Sequence, residues 1–183
     1  MLAGERTYLR LLERQDLPVV AVWRNDPEVR QYFFTPYLIP VSGQDKWYDN
    51  YLSRSDSLIY LIYAQNTGER LGMIGLDHID HRNQSAEYGR ALIANPADRG
   101  KGYAADATRT LLRYGFLELN LNRIFLRVFA DNAPAIRLYE HSGFQREGLE
   151  RQALFIGGRF RDLVRMSILR NEFIAIRPGN PSK

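Results

Sequence analysis

Arg99-Gly100-Lys101-Gly102-Tyr103-Ala104 is the stretch whose reading decides the fold, because its two glycines stand between an apolar run and a segment of helical periodicity. Glycine turns the backbone with positive φ and puts no Cβ in the way, so successive N–H groups can converge on one phosphate. Downstream, Ala104, Thr108, Leu111, Leu112, Gly115 and Leu119 share one face of a helix predicted from Tyr103 to Leu119. The helix starts at the loop, and its N-terminal dipole adds to the attraction for a pyrophosphate. An ordinary strand-to-helix turn would use the same pair of glycines.

Two nucleotide motifs can be set aside. A Walker loop needs a longer gap before Gly-Lys-Ser/Thr, and a Rossmann fingerprint needs a third glycine. Neither is present. The stretch instead matches Arg/Gln-x-x-Gly-x-Gly/Ala, with Arg99, Gly102 and Ala104 in the fixed places. On these residues the chain resembles the GCN5-related N-acetyltransferases, whose corresponding loop holds the pyrophosphate of acetyl-coenzyme A (acetyl-CoA). A second segment strengthens the resemblance: Asn132-Ala133-Pro134-Ala135-Ile136-Arg137-Leu138-Tyr139-Glu140-His141-Ser142-Gly143-Phe144 fills every fixed position of the family's Asn-x-x-Ala-x-x-x-Tyr-x-x-x-Gly-Phe.

Composition narrows the possibilities from another side. The 183 residues, 45% of them hydrophobic, suffice for one domain with a substantial core. Cysteine is absent, which removes disulfides, thiolate metal sites and a cysteine nucleophile, and fits a cytoplasmic location. No run approaches the roughly 20 apolar residues of a membrane span. The net charge of +4 is modest and spread along the chain, with arginine at every basic position except Lys46, Lys101 and Lys183. That pattern disfavours a nucleic-acid partner, which would call for a basic stripe.

Taken in order, the pattern predicts a strand over Arg6 to Leu12 and a helix from Leu17 with Asp16 as its N-cap. Asn25-Asp26-Pro27 interrupts that helix. A second helix from Ser42 to Tyr51 follows, then strands over Ser57 to Gln65, Arg70 to Ile79 and Ser85 to Ala94. After the loop and its helix come a strand from Arg123 to Phe129, a helix from Asn132 to Ser142, and a hairpin closing on Gly157-Gly158. This order matches the family, which implies an α/β (α+β) fold with a mixed central sheet of about seven strands and four helices. The resemblance covers residues 1–176 as a single domain, and the Pro/Gly/Ser-rich residues 177–183 are expected to form a flexible tail. The opening from Leu9 to Leu17 and Gly143-Phe144-x-x-Glu147-Gly148 are similar to the branch of ribosomal-protein N-terminal, spermidine and amino-sugar acetyltransferases. Trp23-Arg24-Asn25 and Trp47-Tyr48 are similar to the amino-sugar members.

Acetyl transfer from a thioester to an amine requires a neutral amine, a donor for the oxyanion and a proton for the departing thiolate. Tyr139 occupies the place whose hydroxyl lies near the coenzyme sulfur in many family members, so the resemblance implies a general acid there. Its ordinary pKa of about 10 sits above the roughly 8.5 of a thiol. Glu87 is the candidate base if burial raises its pKa, with His78 and His81 as alternatives better matched to neutral pH. The two histidines alone make a weak metal signal, and no metal is expected. The resemblance implies pairing of the pantetheine arm with the backbone of Leu92, Ile93 and Ala94. It further implies pyrophosphate binding by Arg99, Gly100, Lys101, Gly102, Tyr103 and Ala104, and an arm contact from Asn132, which also caps its helix.

Tyr32, Phe33, Phe34 and Tyr37 cluster around prolines, which suits a packed core edge as well as a pocket wall, and the resemblance implies the wall of the acceptor site. The expected activity is therefore acetyl-CoA-dependent acetylation of a primary amine, small-molecule or peptide N-terminus, by a protein that is a possible homodimer with no nucleic-acid or membrane partner. The segment from Trp23 to Tyr51 balances its carboxylates with Arg24, Arg30 and Lys46, which favours a singly charged amine on a peptide or amino sugar over a polyamine. Spermidine acetylation and a non-catalytic acyl-CoA sensor are the alternatives.

Overall fold

A computed structural model describes residues 1–35, 37–40 and 42–175. The proposed boundary at residue 176 and the tail beyond it lie outside the described residues. Strand β1 (Leu2–Ala3) and β2 (Thr7–Leu11) precede helices α1 (Leu17–Asn25), α2 (Pro27–Arg30) and α3 (Gln44–Leu52). Strands β3 (Leu58–Ala64), β4 (Arg70–Asp80) and β5 (Ser85–Ile93) lead into α4 (Tyr103–Leu117). The chain continues through β6 (Arg123–Phe129), α5 (Ala133–His141), β7 (Gln145–Ile156), β8 (Arg159–Leu169) and α6 (Arg170–Ala175). Among the described residues the sheet has eight strands in the order β1-β2-β3-β4-β5-β6-β8-β7.

The expected mixed α/β sheet is present, with eight strands and six helices among the described residues where about seven and four were expected. The differences are short: β1 spans two residues, while α2 and α6 are the additional helices. None carries enough periodicity to be read from sequence. Asp26 explains α2, since its side chain accepts from the Glu28 N–H and Pro27 follows as the first helical residue. Asp16 does not cap α1 through its side chain. It is buried, pairs with Arg10 at 2.9 Å and accepts from the Glu13 N–H. Ser42 likewise gives way to Gly43, whose φ of 92° opens α3 at Gln44.

Strand β3 reads Leu-Ile-Tyr-Leu-Ile-Tyr-Ala without alternation because both of its faces are covered. Tyr60, Ile62 and Ala64 join the core beneath α4, where Ala107, Leu111, Leu112 and Phe116 pack. Ile59, Leu61 and Tyr63 join the opposite layer with Leu17 and Val20 of α1 and Tyr48 of α3. The stacked Trp47 and Tyr51, with Tyr48, fix α3 to the sheet: Tyr48 donates to the Leu12 carbonyl and Tyr51 accepts from the Ile59 N–H.

Two features of the sheet create a site. Arg90 and Ala91 of β5 stand opposite the single residue Ile74 of β4, a bulge in which Arg90 has φ 56°. Gly72 admits β5 at this point, since a Cβ there would lie 1.9 Å from the Leu92 carbonyl oxygen. Beyond the bulge, β5 leaves its parallel neighbour: the two strands pair only over Ser85–Glu87 against Arg123–Phe125. A wedge therefore opens between the C-terminal halves of β5 and β6.

Candidate active site

The wedge is the mouth of a cavity of 1110 Å³. Its walls are β5 from Glu87 to Ile93, β6 from Leu126 to Phe129, the loop at Gly100, the start of α5 and the segment from Arg24 to Thr35. Gly100 and Gly102 have φ of 77° and 84°, and Gly102 directly precedes the first turn of α4. A Cβ on Gly100 would meet nothing within 4 Å, and one on Gly102 would find only Arg6 at 3.8 Å. The space above this loop is open, and a helix N-terminus faces it, so the loop is shaped for an anion. The edge of β5 after Glu87 has no strand partner on the β6 side, which leaves backbone available to an extended ligand arm.

Asp106 holds this end of the molecule together. Its carboxylate accepts from the N–H groups of Glu5, Arg6 and Thr7 and from the Thr7 hydroxyl, at 2.7 to 3.0 Å. Burial works to raise the Asp106 pKa, but these donors outweigh it and hold it below the ordinary value. Arg6, fixed by this clamp, lies 3.4 Å from the Lys101 carbonyl. Sequence reading missed Asp106, since an acid in the first turn of a helix needs no tertiary partner.

Tyr139 stands on α5 with its ring edge-on to Tyr88 and Phe144, centroids 5.6 and 5.8 Å away. Tyr88 is itself fixed to α4 by a 2.8 Å bond between its hydroxyl and that of Thr108. Burial pushes the Tyr139 phenol up to about 12. Glu87 is mostly buried and fully engaged: Oε1 accepts from Nε and Nη2 of Arg127 at 3.2 Å, and Oε2 lies 3.0 Å from His78 Nδ1. With the proton on Nδ1, the tautomer that lets the carboxylate accept, the Nε2 lone pair of His78 is left to other partners. His78 lines the cavity and His81 does not.

Of the other predicted residues, Leu92, Ile93, Arg99, Gly100, Gly102, Ala104, Asn132, Tyr32, Phe33 and Phe34 line the cavity. Four do not. Ala94 gives its N–H to the Leu71 carbonyl, and Tyr103 packs on the core under α4. Lys101 pairs with Asp98 and borders a separate shallow cleft with Arg6 and Arg109, while Tyr37 is 75% exposed. The aromatic cluster therefore contributes three rings rather than four. Asn132 accepts from the Ala135 N–H at 3.3 Å, which is its capping role.

An acetyltransferase (GNAT) domain model matches residues 6–145. The chain belongs to the GNAT acetyltransferase family. It is 35% identical over 172 residues to an uncharacterized N-acetyltransferase, p20, of Bacillus licheniformis, covering 92% of this chain and 96% of that one. It is 34% identical over 168 residues to the spermidine N(1)-acetyltransferase of Escherichia coli K12, covering 91% and 88%. Among solved structures, spermidine N-acetyltransferase from Vibrio cholerae in complex with CoA and spermine superposes with a TM-score of 0.85 at 30% identity, covering 93% of this chain and 99% of that one. The chain is accordingly an acetyl-CoA-dependent N-acetyltransferase with the mixed α/β GNAT fold, and acetyl-CoA is its cosubstrate.

Most charged residues of this GNAT cavity are paired among themselves. Each cavity carboxylate already has a cation: Glu28 has Arg99 at 3.3 Å, Asp77 has Arg90 at 2.7 Å, Glu87 has Arg127, and Asp98 has Lys101. Each of the three rings also carries an arginine, with Arg24 over Phe33 at 4.1 Å, Arg127 over Phe34 at 5.5 Å and Arg161 over Tyr32 at 6.0 Å. Sequence composition predicted a balance of charge here, but not these pairings, two of which, Glu28 with Arg99 and Glu87 with Arg127, join residues forty or more positions apart.

Proposed function

We propose that this acetyltransferase modifies a singly charged primary amine, on a peptide N-terminus or an amino sugar, held against Tyr32, Phe33 and Phe34. The observation that carries this reading is the absence of a free carboxylate in the cavity among the described residues. A polyamine brings two or more ammonium groups, and each would enter a wall of arginine-capped rings without an acid to receive it. A cytoplasmic location belongs to the same reading, because acetyl-CoA is an intracellular cosubstrate.

In this reading the β5 edge at Leu92 and Ile93 aligns the pantetheine arm, and the backbone around Gly100 and Gly102 receives the pyrophosphate. Arg99, which reaches the Ile93 and Ala94 carbonyls at 3.3 and 3.4 Å, braces that loop against the strand end. Glu87 and His78 act as a pair: the carboxylate orients the imidazole, and Nε2 takes the proton from the incoming ammonium. Tyr139 donates a hydrogen bond to the departing sulfur. With its phenol near 12 and a thiol near 8.5, complete proton transfer to sulfur would be uphill by about 5 kcal/mol. The hydroxyl therefore acts as a hydrogen-bond donor at neutral pH, and the nitrogen's own proton leaves with the product thiol.

The test is a CoA-release assay over a panel of amines. Turnover with a peptide or amino-sugar acceptor supports the reading, and acetyl-CoA binding with no turnover on any amine would favour a sensor. Polyamine acetylation is the second reading, and the observation in its favour is the kinship with spermidine acetyltransferases.

A further inference from the structure

Arg24 sits in the last turn of α1 and lines the cavity. Its guanidinium carbon Cζ lies over the Phe33 ring, 4.1 Å from the centroid. Among the described residues it makes no hydrogen bond and no ion pair, and its Nε is buried without an acceptor. Arg90, the other partly buried arginine of the cavity, is committed to Asp77, and the more exposed Arg127 to Glu87. Arg137, also without a carboxylate, stands exposed on α5.

A guanidinium taken out of water without a counter-charge is unfavourable. Burial, reinforced by the nearby Arg90, pulls Arg24 down to about 10. Contact with Phe33 holds the guanidinium in place, while its N–H groups, which have no acceptor among the described residues, are left for a fork-shaped contact. Such a group is prepared for a planar or tetrahedral oxyanion that arrives with a ligand. Among the described residues no anionic side chain takes that place, because the neighbouring acids are paired elsewhere.

We infer that the acceptor carries an oxyanion, a carboxylate or a phosphate, within a few bonds of its amine, and that Arg24 receives it. This rests on the reading of the acceptor as a singly charged amine and narrows it to amines that also bear a negative group. An acidic residue following a peptide N-terminus and a phosphorylated or nucleotide-linked amino sugar share this chemistry.

Calorimetric titration of the CoA-loaded protein with matched pairs decides the matter. One pair is short peptide amides beginning Ala-Glu and Ala-Gln, the other glucosamine 6-phosphate and glucosamine, with spermidine as the polycation. The anionic member of one pair should bind about 10- to 100-fold more tightly than its neutral counterpart, the range for a charged hydrogen-bonded contact. Whichever pair shows the difference identifies the source of the anion. Arg24→Gln should erase the difference and Arg24→Lys should keep part of it, with folding of both variants checked by thermal melting. Equal affinities within both pairs would overturn the inference, as would a preference that survives Arg24→Gln. Equal weakening of CoA binding itself by Arg24→Gln would assign the residue to the coenzyme instead. Failure of acetyl transfer to every amine would defeat the proposed function yet leave these binding differences readable. Transfer to neutral amines without any anion preference would defeat only the role of Arg24.

Discussion

The two sides of the cavity are built from different materials. The side proposed for the coenzyme is backbone: a strand edge beside a bulge, two positive-φ glycines and a helix N-terminus. The acceptor side is side chain: three rings, each under an arginine, and carboxylates that are all spoken for. Backbone binding demands particular residue types at fixed spacing, whereas charge pairing can be satisfied by many arrangements. The first side can therefore be shared across a family, while the second is free to choose a substrate.

The sharpest way to break the coenzyme side is Gly102→Glu. A Cβ there would find nothing nearer than Arg6 at 3.8 Å, but the φ of 84° strains any L residue, so Gly102→Ala is the control and only the further loss in Gly102→Glu is assigned to the ligand's space. Like-charge repulsion of several kcal/mol should weaken acetyl-CoA on the order of 10³-fold while the circular dichroism spectrum stays native. Unchanged affinity in calorimetry would remove the loop from the site. Tyr139→Phe comes next, since it keeps the packing on Tyr88 and Phe144 and deletes one hydroxyl. Turnover should fall by about 10²-fold, the low end for acid–base groups, with acetyl-CoA affinity nearly unchanged. Because burial holds the phenol near 12, it stays protonated through the assay range, and the rate should show no alkaline limb from Tyr139 below about pH 10.5. An alkaline limb that disappears in Tyr139→Phe would contradict this assignment.

Much of the coenzyme side was legible because its constraints are local. Gly102, Ala104, Asn132 and Tyr139 sit at fixed offsets, and the strand and helix order followed from periodicity with boundaries off by one or two residues. Leu92 and Ile93 came from the resemblance, but the bulge that exposes them did not, since nothing in Arg90-Ala91 announces a left-handed arginine. Tyr37 was grouped with its aromatic neighbours by adjacency and by the family's use of this region, neither of which fixes the direction of one ring, and the loop turns it outward. Glu87 was readable as a candidate base. Its grip by Arg127, forty positions away, was not, and neither were Asp106 reaching Thr7 nor Arg24 left without a partner.

Smaller effects test the framework that holds the two sides in place. Asp106→Ala leaves three backbone N–H groups without their acceptor and should lower stability by about 3 kcal/mol in urea melts, without the selectivity of a binding-site change. The wild-type contribution is present above the ordinary carboxylate range near 3.9 and is lost as pH falls through the depressed folded value. Glu147→Gln should have the least effect. Hydrogen bonds from Arg123, at 2.6 Å, chiefly hold Glu147 down to about 2 against burial, with help from Ser167. The pair is one-third exposed, so solvent screening limits the loss to about 1 kcal/mol. The wild-type contribution should be complete above pH about 4.5 and disappear toward pH 2. A loss as large as that of Asp106→Ala would show that the sheet depends on this bridge more than its exposure allows.

The central claim is that the acceptor side refuses multiple positive charges, and a competition assay with acetyl-CoA addresses it directly. Specificity constants would be measured for N-terminal peptides, nucleotide-linked amino sugars and spermidine under one ionic strength. With every cavity carboxylate already paired, kcat/KM for the best peptide or amino sugar should exceed that for spermidine by about tenfold or more. A spermidine value far above both other classes would contradict the account, and would mean that the ion pairs at Glu28, Asp77 and Glu87 open to receive a polycation.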